Sequence, residues 1–128
     1  MVKMRIDGEE IQGENVLEMF VDSFPDMVHS IGADGKILYA NRKTQQVLGY
    51  TEEELLSMTY DRIYAEEILA AVDCGFDELK RAGKICVESV MSCKNGTEIP
   101  VEMISFAVYD DEGNFDRTMS IAREIRQK

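Results

Sequence analysis

Asp34-Gly35-Lys36-Ile37-Leu38-Tyr39-Ala40-Asn41, followed closely by Leu48-Gly49-Tyr50-Thr51-Glu52-Glu53-Glu54-Leu55, is the stretch that decides the fold. Asp34-Gly35 tolerates the positive φ angles of a two-residue hairpin turn, and Lys36–Ala40 reads as the strand that leaves it. Asn41 is placed to cap a short helix over Arg42–Val47, because its side chain accepts from the free amides of a first turn. Gly49 breaks that helix. Thr51-Glu52-Glu53-Glu54 is a capping box, with Thr51 bonding forward and Glu54 reaching back, so a second helical turn starts there.

Working outward, two more turn signals mark the second half of the chain. Asn95-Gly96 lies between Ile85–Cys93 and Thr97–Val108, and Asp110-Asp111-Glu112-Gly113 separates that run from Phe115–Arg123. Met27–Ile31, ahead of Asp34-Gly35, completes the first hairpin. Pro100 sits early in its strand, where a missing N–H suits a strand start or a sheet edge. Val16, Leu17, Phe20, Val21 and Phe24 share one side of a short amphipathic helix, with Glu14, Glu18 and Asp22 on the other. Pro25 ends it. A longer helix over Ala65–Arg81 carries Ile68, Leu69, Val72, Phe76 and Leu79 along one face and stops at Gly83. Residues 1–13 are polar and without period, and are expected to be a flexible lead-in.

Helix, two strands, several helices and three strands is not the alternation of a doubly wound parallel sheet. It predicts an α+β domain with one antiparallel sheet and helices packed on a face. In Val101–Val108 both sides of the strand are apolar or small apart from Glu102, as expected where both sheet faces are covered.

The opening motif, the Lys94-Asn95-Gly96-Thr97 hairpin and the closing Ser120-Ile121-Ala122-Arg123-Glu124-Ile125 resemble, in that order and spacing, the PAS domain family of signalling modules. The resemblance spans about Val16 to Arg126. It departs from the family at Glu124 and Arg126, where an Asp and a Thr are usual, and at Ile63-Tyr64-Ala65-Glu66-Glu67, where many members have His-Pro-Glu-Asp. What it implies is a five-stranded antiparallel sheet in spatial order 2-1-5-4-3, helices enclosing a pocket on one face and the N-terminal helix on the other. The domain is then expected over 14–126, with 127–128 starting an output linker. The resemblance also implies an ion pair between Glu54 and Lys94.

At 128 residues the chain has room for one domain with a core. Its 14 basic and 25 acidic residues give a formal charge of −11, which disfavours nucleic acid and anionic membranes as partners. No apolar run approaches the length of a membrane span, and residues 1–13 lack the pattern of a signal peptide. Cys74, Cys86 and Cys93 show no CxxC spacing, and a reducing cytoplasm is the expected location. His29 is the single histidine. It falls on a strand, whereas haem-binding relatives take their axial histidine from the long helix, so a strand histidine with a satisfied hydrogen bond is expected rather than a haem or metal ligand. The Asn-Cys-Arg-Phe-Leu-like run of covalent flavin binders is missing around Cys74. No acid–base pair, metal cluster or catalytic motif can be named, so the expectation is no enzyme activity, no metal site and no haem or covalent flavin.

The function that follows is a PAS sensor or interaction domain of a signal-transduction protein. It takes up an unidentified small ligand or mediates dimerisation, and signals to a C-terminal output module such as a histidine kinase. The rival reading is a purely structural dimerisation module whose pocket is filled by its own side chains. The pocket is expected between the long helix and the sheet, lined by Met58, Ile63, Val72, Phe76, Met103, Ser105 and Ile121, with Ser105 as its polar group. A homodimer is expected to pair through Val16, Leu17, Phe20, Val21, Phe24, Phe106 and Val108, which present more apolar surface than one helix on one sheet requires.

Overall fold

The computed structural model describes residues 3–6, 9–12 and 19–125. The described residues form seven strands: β1 (Lys3–Ile6), β2 (Glu9–Gln12), β3 (Met27–Ile31), β4 (Ile37–Ala40), β5 (Lys84–Ser92), β6 (Glu98–Tyr109) and β7 (Phe115–Glu124). The helices are α1 (Arg42–Leu48), α2 (Glu52–Leu56) and α3 (Leu69–Ala82), with 3-10 turns at Tyr60–Arg62 and Glu66–Ile68. Strands β3 to β7 form one antiparallel sheet in the order β4-β3-β7-β6-β5. Counted within that sheet this is 2-1-5-4-3, the order that the family resemblance implied.

The turn chemistry works as the sequence reading has it. Gly35 and Gly96 both sit at φ 88°, a conformation closed to most side chains, and each closes a hairpin. Thr51 accepts from the Glu54 amide while Glu54 Oε1 accepts from the Thr51 amide, so the capping box is complete. Glu54 Oε2 also takes a hydrogen bond from Lys94 Nζ at 2.7 Å, which ties α2 to the β5–β6 hairpin. That contact, with the Thr51 amide, holds the Glu54 carboxyl below its usual range. Pro100 is no edge residue, since β6 lies between β5 and β7, but it stands near the strand start.

Two expectations change. Lys3–Ile6 and Glu9–Gln12 pair as an antiparallel ladder from Lys3↔Gln12 to Ile6↔Glu9, where a flexible lead-in was expected. The sequence between them holds Asp7-Gly8, the same dipeptide as in the first sheet hairpin, and each strand is only four residues long, too short for Met4, Ile6 and Ile11 to show a clear period. The long helix begins at Leu69 rather than at Ala65, because Ala65 is extended and a 3-10 turn intervenes. Of the N-terminal helix, residues 19–22 are helical; Val16 and Leu17 lie outside the described residues.

The core lies between one face of the sheet and the helices. Met27, Ile31 and Ile37 meet Leu48, Leu55, Ile63, Met91 and Val101 in one buried cluster. The opposite face is less covered: Ile104 and Phe106 on β6 are 40% and 41% exposed.

Candidate functional site

Helix α3 lies over the β5 end of the sheet and leaves a cavity of about 370 Å³ beneath it. Val72, Phe76 and Leu79 recur at helical spacing along its inner face, and all three line the space. Ile85 and Val87 come from β5 and Met103 from β6. Strand alternation sends these side chains to the helix side and their neighbours Cys86, Glu102 and Ile104 to the other, where they line a second groove that also touches Val87, Glu88 and Met103.

Gly75 also lines the cavity, in the middle of α3. Its backbone does not require glycine, and a Cβ there would meet Ile85 Cδ1 at 3.7 Å, an ordinary contact. Glycine inside a helix costs entropy, so Gly75→Ala should raise stability by about 0.5–1 kcal/mol. The check is a higher urea midpoint with an unchanged slope.

The polar part of the site is a set of hydroxyls on the two central strands. Register places Ser105 opposite Ser120 and Ala107 opposite Thr118, so all three hydroxyls share the helix-side face. Ser105 Oγ and Ser120 Oγ are 2.6 Å apart and share one hydrogen bond. Thr118 Oγ1 accepts from the Ile31 amide at 3.0 Å, and the Thr118 carbonyl accepts from Ser30 Oγ at 2.6 Å.

Behind the cavity His29 is fully buried, with Nε2 3.0 Å from Tyr64 Oη. Tyr64 Oη also donates toward Met103 Sδ at 3.4 Å. The chain of bonds is satisfied when His29 Nε2–H donates to the tyrosine oxygen and the tyrosine donates to sulfur. Nδ1 then has no partner among the described residues. Burial pushes His29 down to about 4 and the Tyr64 hydroxyl upward, so both are neutral near pH 7.

Of the residues expected at the pocket, Val72, Phe76, Met103 and Ser105 surround the cavity. Met58 packs instead on the core cluster and Ile63 is fully buried within it. Ile121 is on the opposite face, because it alternates with Ser120, and it lines the groove beside Ile104. Ser105 is therefore not the sole polar group. Tyr64, Glu88, Ser89, Thr118 and Ser120 line the cavity as well. The alternation Thr118, Ser120, Ala122 marks a small, polar inner face in the sequence, but its pairing with Ser105 depends on register. Among the dimer candidates, Phe20 is 62% exposed and stacks edge-on against Phe24. Val21 is half-buried, and Phe106 and Val108 are exposed on the outer sheet face.

Among the described residues no three His, Cys, Asp or Glu side chains gather in a metal-binding group. No helix among them is long and apolar enough to cross a membrane.

The chain belongs to the PAS domain family, whose model matches residues 25–127. It is 28% identical over 118 residues to the methyl sulfide methyltransferase-associated sensor of Methanosarcina acetivorans, covering 91% of this chain and 12% of that protein. The sensor is thus several times longer than the chain. A PAS domain from a Colwellia psychrerythraea protein superposes with a TM-score of 0.82 at 16% identity, covering 89% of this chain and 98% of that one. A PAS domain from a two-component sensor histidine kinase gives a TM-score of 0.77 at 21% identity, covering 89% and 100%.

Proposed function

We propose that this PAS sensor domain binds a small ligand in the cavity beneath α3 and passes the change to an output module through β7. The observation that carries this reading is the cavity itself, of about 370 Å³, apolar in its walls and bearing hydroxyls on its floor. Thr118 and Ser120 of that floor belong to β7, the strand that runs on to Glu124 at the C-terminal side. A ligand that binds two arrangements of the strand unequally would shift their populations, which is all that such coupling requires. The kinship with a much longer sensor, and the fold shared with a histidine-kinase PAS domain, favour a signalling kinase or similar enzyme as the recipient, working in the cytoplasm. No catalytic role is assigned to the domain, and neither haem nor covalent flavin is its cofactor: His29 spends Nε2 on Tyr64, and Cys74 is exposed.

The test is native mass spectrometry with an absorbance spectrum of the purified protein. Extra mass that disappears in Val72→Trp supports ligand binding. A solved crystal structure with the space closed by side chains would refute it, as would a Soret or flavin band for the cofactor statement.

The uncovered apolar strip on β6 favours a dimer in addition. Ile104, Phe106 and Val108 are 40%, 41% and 37% exposed on one face of one strand, and burying them against a second copy is favourable at roughly 25 cal/mol per Å². The wild type should sediment as a dimer at tens of micromolar, and Phe106→Glu/Val108→Glu as a folded monomer. A monomeric wild type removes this reading.

A further inference from the structure

The cavity beneath α3 has no positive charge to offer. Among the described residues that line it, only Glu88 and Tyr64 are ionisable. Glu88 is exposed on the edge strand β5, and burial keeps the Tyr64 hydroxyl protonated. A carboxylate or phosphate entering here would give up its hydration without a cation to replace it, which is strongly unfavourable. The formal charge of −11 over the whole chain acts in the same direction. A buried cation fares little better, since Glu88 is left in water outside.

What the cavity does offer is hydroxyl hydrogens. A hydroxyl carries one donor and two acceptor sites. The Ser105–Ser120 bond uses the hydrogen of one serine only. The hydrogen of the other, and that of Thr118, whose oxygen accepts from Ile31 N, have no acceptor among the described residues. These two donors, with the hydroxyl of Ser89 that also lines the cavity, point to a partner that presents an oxygen or nitrogen lone pair.

Gly75 is the third observation. Neither backbone geometry nor crowding requires a glycine there, since a Cβ would make only an ordinary contact with Ile85 at 3.7 Å. A larger side chain at this position would project into the space between α3 and β5. The glycine weakens the helix and keeps that space open.

We infer that the occupant is an uncharged, mainly apolar small molecule. It presents one hydrogen-bond-accepting group, of carbonyl or amide type, to Ser105, Ser120 and Thr118, and lays its apolar part along α3 beside Gly75. This rests on the cavity being a ligand site, as proposed above. At about 370 Å³ the space sits at the small end of the ~300–1,000 Å³ typical of ligand pockets, so the molecule is compact.

Three probes of one ring size separate the possibilities: acetophenone, benzoate and ethylbenzene, each titrated against ¹⁵N-labelled protein while amide shifts are followed. Acetophenone should move the amides of α3, β6 and β7 and bind about tenfold tighter than benzoate, a difference of about 1.4 kcal/mol. It should also bind more tightly than ethylbenzene, and Ser105→Ala/Ser120→Ala should reduce that second preference, with the Thr118 hydroxyl left as the remaining donor. Gly75→Leu should abolish binding of all three. Benzoate binding as tightly as acetophenone, or a preference for acetophenone over ethylbenzene that is undiminished by the double substitution, overturns the assignment of ligand chemistry and leaves the cavity reading standing. Failure of all three probes to move those amides overturns the cavity reading, and this inference with it. The wild-type comparison decides by itself if a variant does not fold.

Discussion

Asn41→Ala should cost about 3–5 kcal/mol, because the side chain it removes ties four segments of backbone together in a buried place. Asn41 Oδ1 accepts from the Val28 amide at 2.9 Å, the Thr44 amide at 3.1 Å and Thr44 Oγ1 at 2.7 Å. Its Nδ2 donates to the carbonyls of Val21 and Asp26, both at 3.0 Å. Asn41 and Thr44 are fully buried, so water cannot take over the Val28 and Thr44 amides, while the Val21 and Asp26 carbonyls are part-buried. Two amides and two carbonyls lose a partner, at about 1–3 kcal/mol for each group left unsatisfied, with partial relaxation. Against a total stability of ~5–15 kcal/mol, that is a large share. The discriminating variant is Asn41→Asp. As a plain helix cap Asp equals Asn, and alanine costs only about 1 kcal/mol. As a junction Asp fails, since a carboxylate oxygen would face the Val21 and Asp26 carbonyls where an amide N–H now donates. Urea denaturation followed by circular dichroism should therefore find both variants far below the wild type. An Asp variant of wild-type stability would reduce Asn41 to a cap.

That junction shows where the sequence is legible and where it stops. The capping role of Asn41 follows from its place after Ala40 and before an amphipathic turn, because a cap bonds to its own helix. Its bonds to Val21, Asp26 and Val28 join segments that meet only in the folded chain, and no local pattern announces them. The same division runs through the cavity. Val72 and Phe76 are found by helical period, and Met103 and Ser105 by strand alternation, since each rule concerns one element. Ile121 lies on the face away from the cavity, which alternation alone does not tell, because it gives two faces without saying which one the helix covers; that is fixed by the pairing Ser105↔Ser120. Met58 and Ile63 are apolar and near the helices, as cavity residues are, yet the core claims them. The β1 and β2 strands are four residues each, too short for an alternation to stand out in the sequence.

The second large effect is a loss of stability in acid that belongs to one side chain. His29 is neutral and fully buried, and desolvation lowers its folded pKa from 6.5 to about 4. In the unfolded chain it takes up a proton below about 6.5, while the folded protein refuses one until about 4. Between these values the unfolded state binds more protons, so stability must fall as pH falls. At ~1.36 kcal/mol per pKa unit the loss approaches about 3 kcal/mol by pH 4, and nothing is lost above about pH 7. The titratable group that faces His29 is Tyr64, which stays protonated throughout this range. Carboxylates titrate in the same window, and relief of the −11 formal charge acts in the opposite direction. The measurement is therefore a difference: urea-derived stability of the wild type and of His29→Phe, each from pH 7.5 to 4. The phenyl ring keeps the volume, removes the titration and leaves Tyr64 Oη its contact with Met103 Sδ. The variant should start below the wild type at pH 7.5, for want of the Tyr64 hydrogen bond, and lose less on acidification, so that the curves converge or cross. Parallel curves would mean that His29 protonates in the folded state as readily as in the unfolded one, and that its burial carries no linkage.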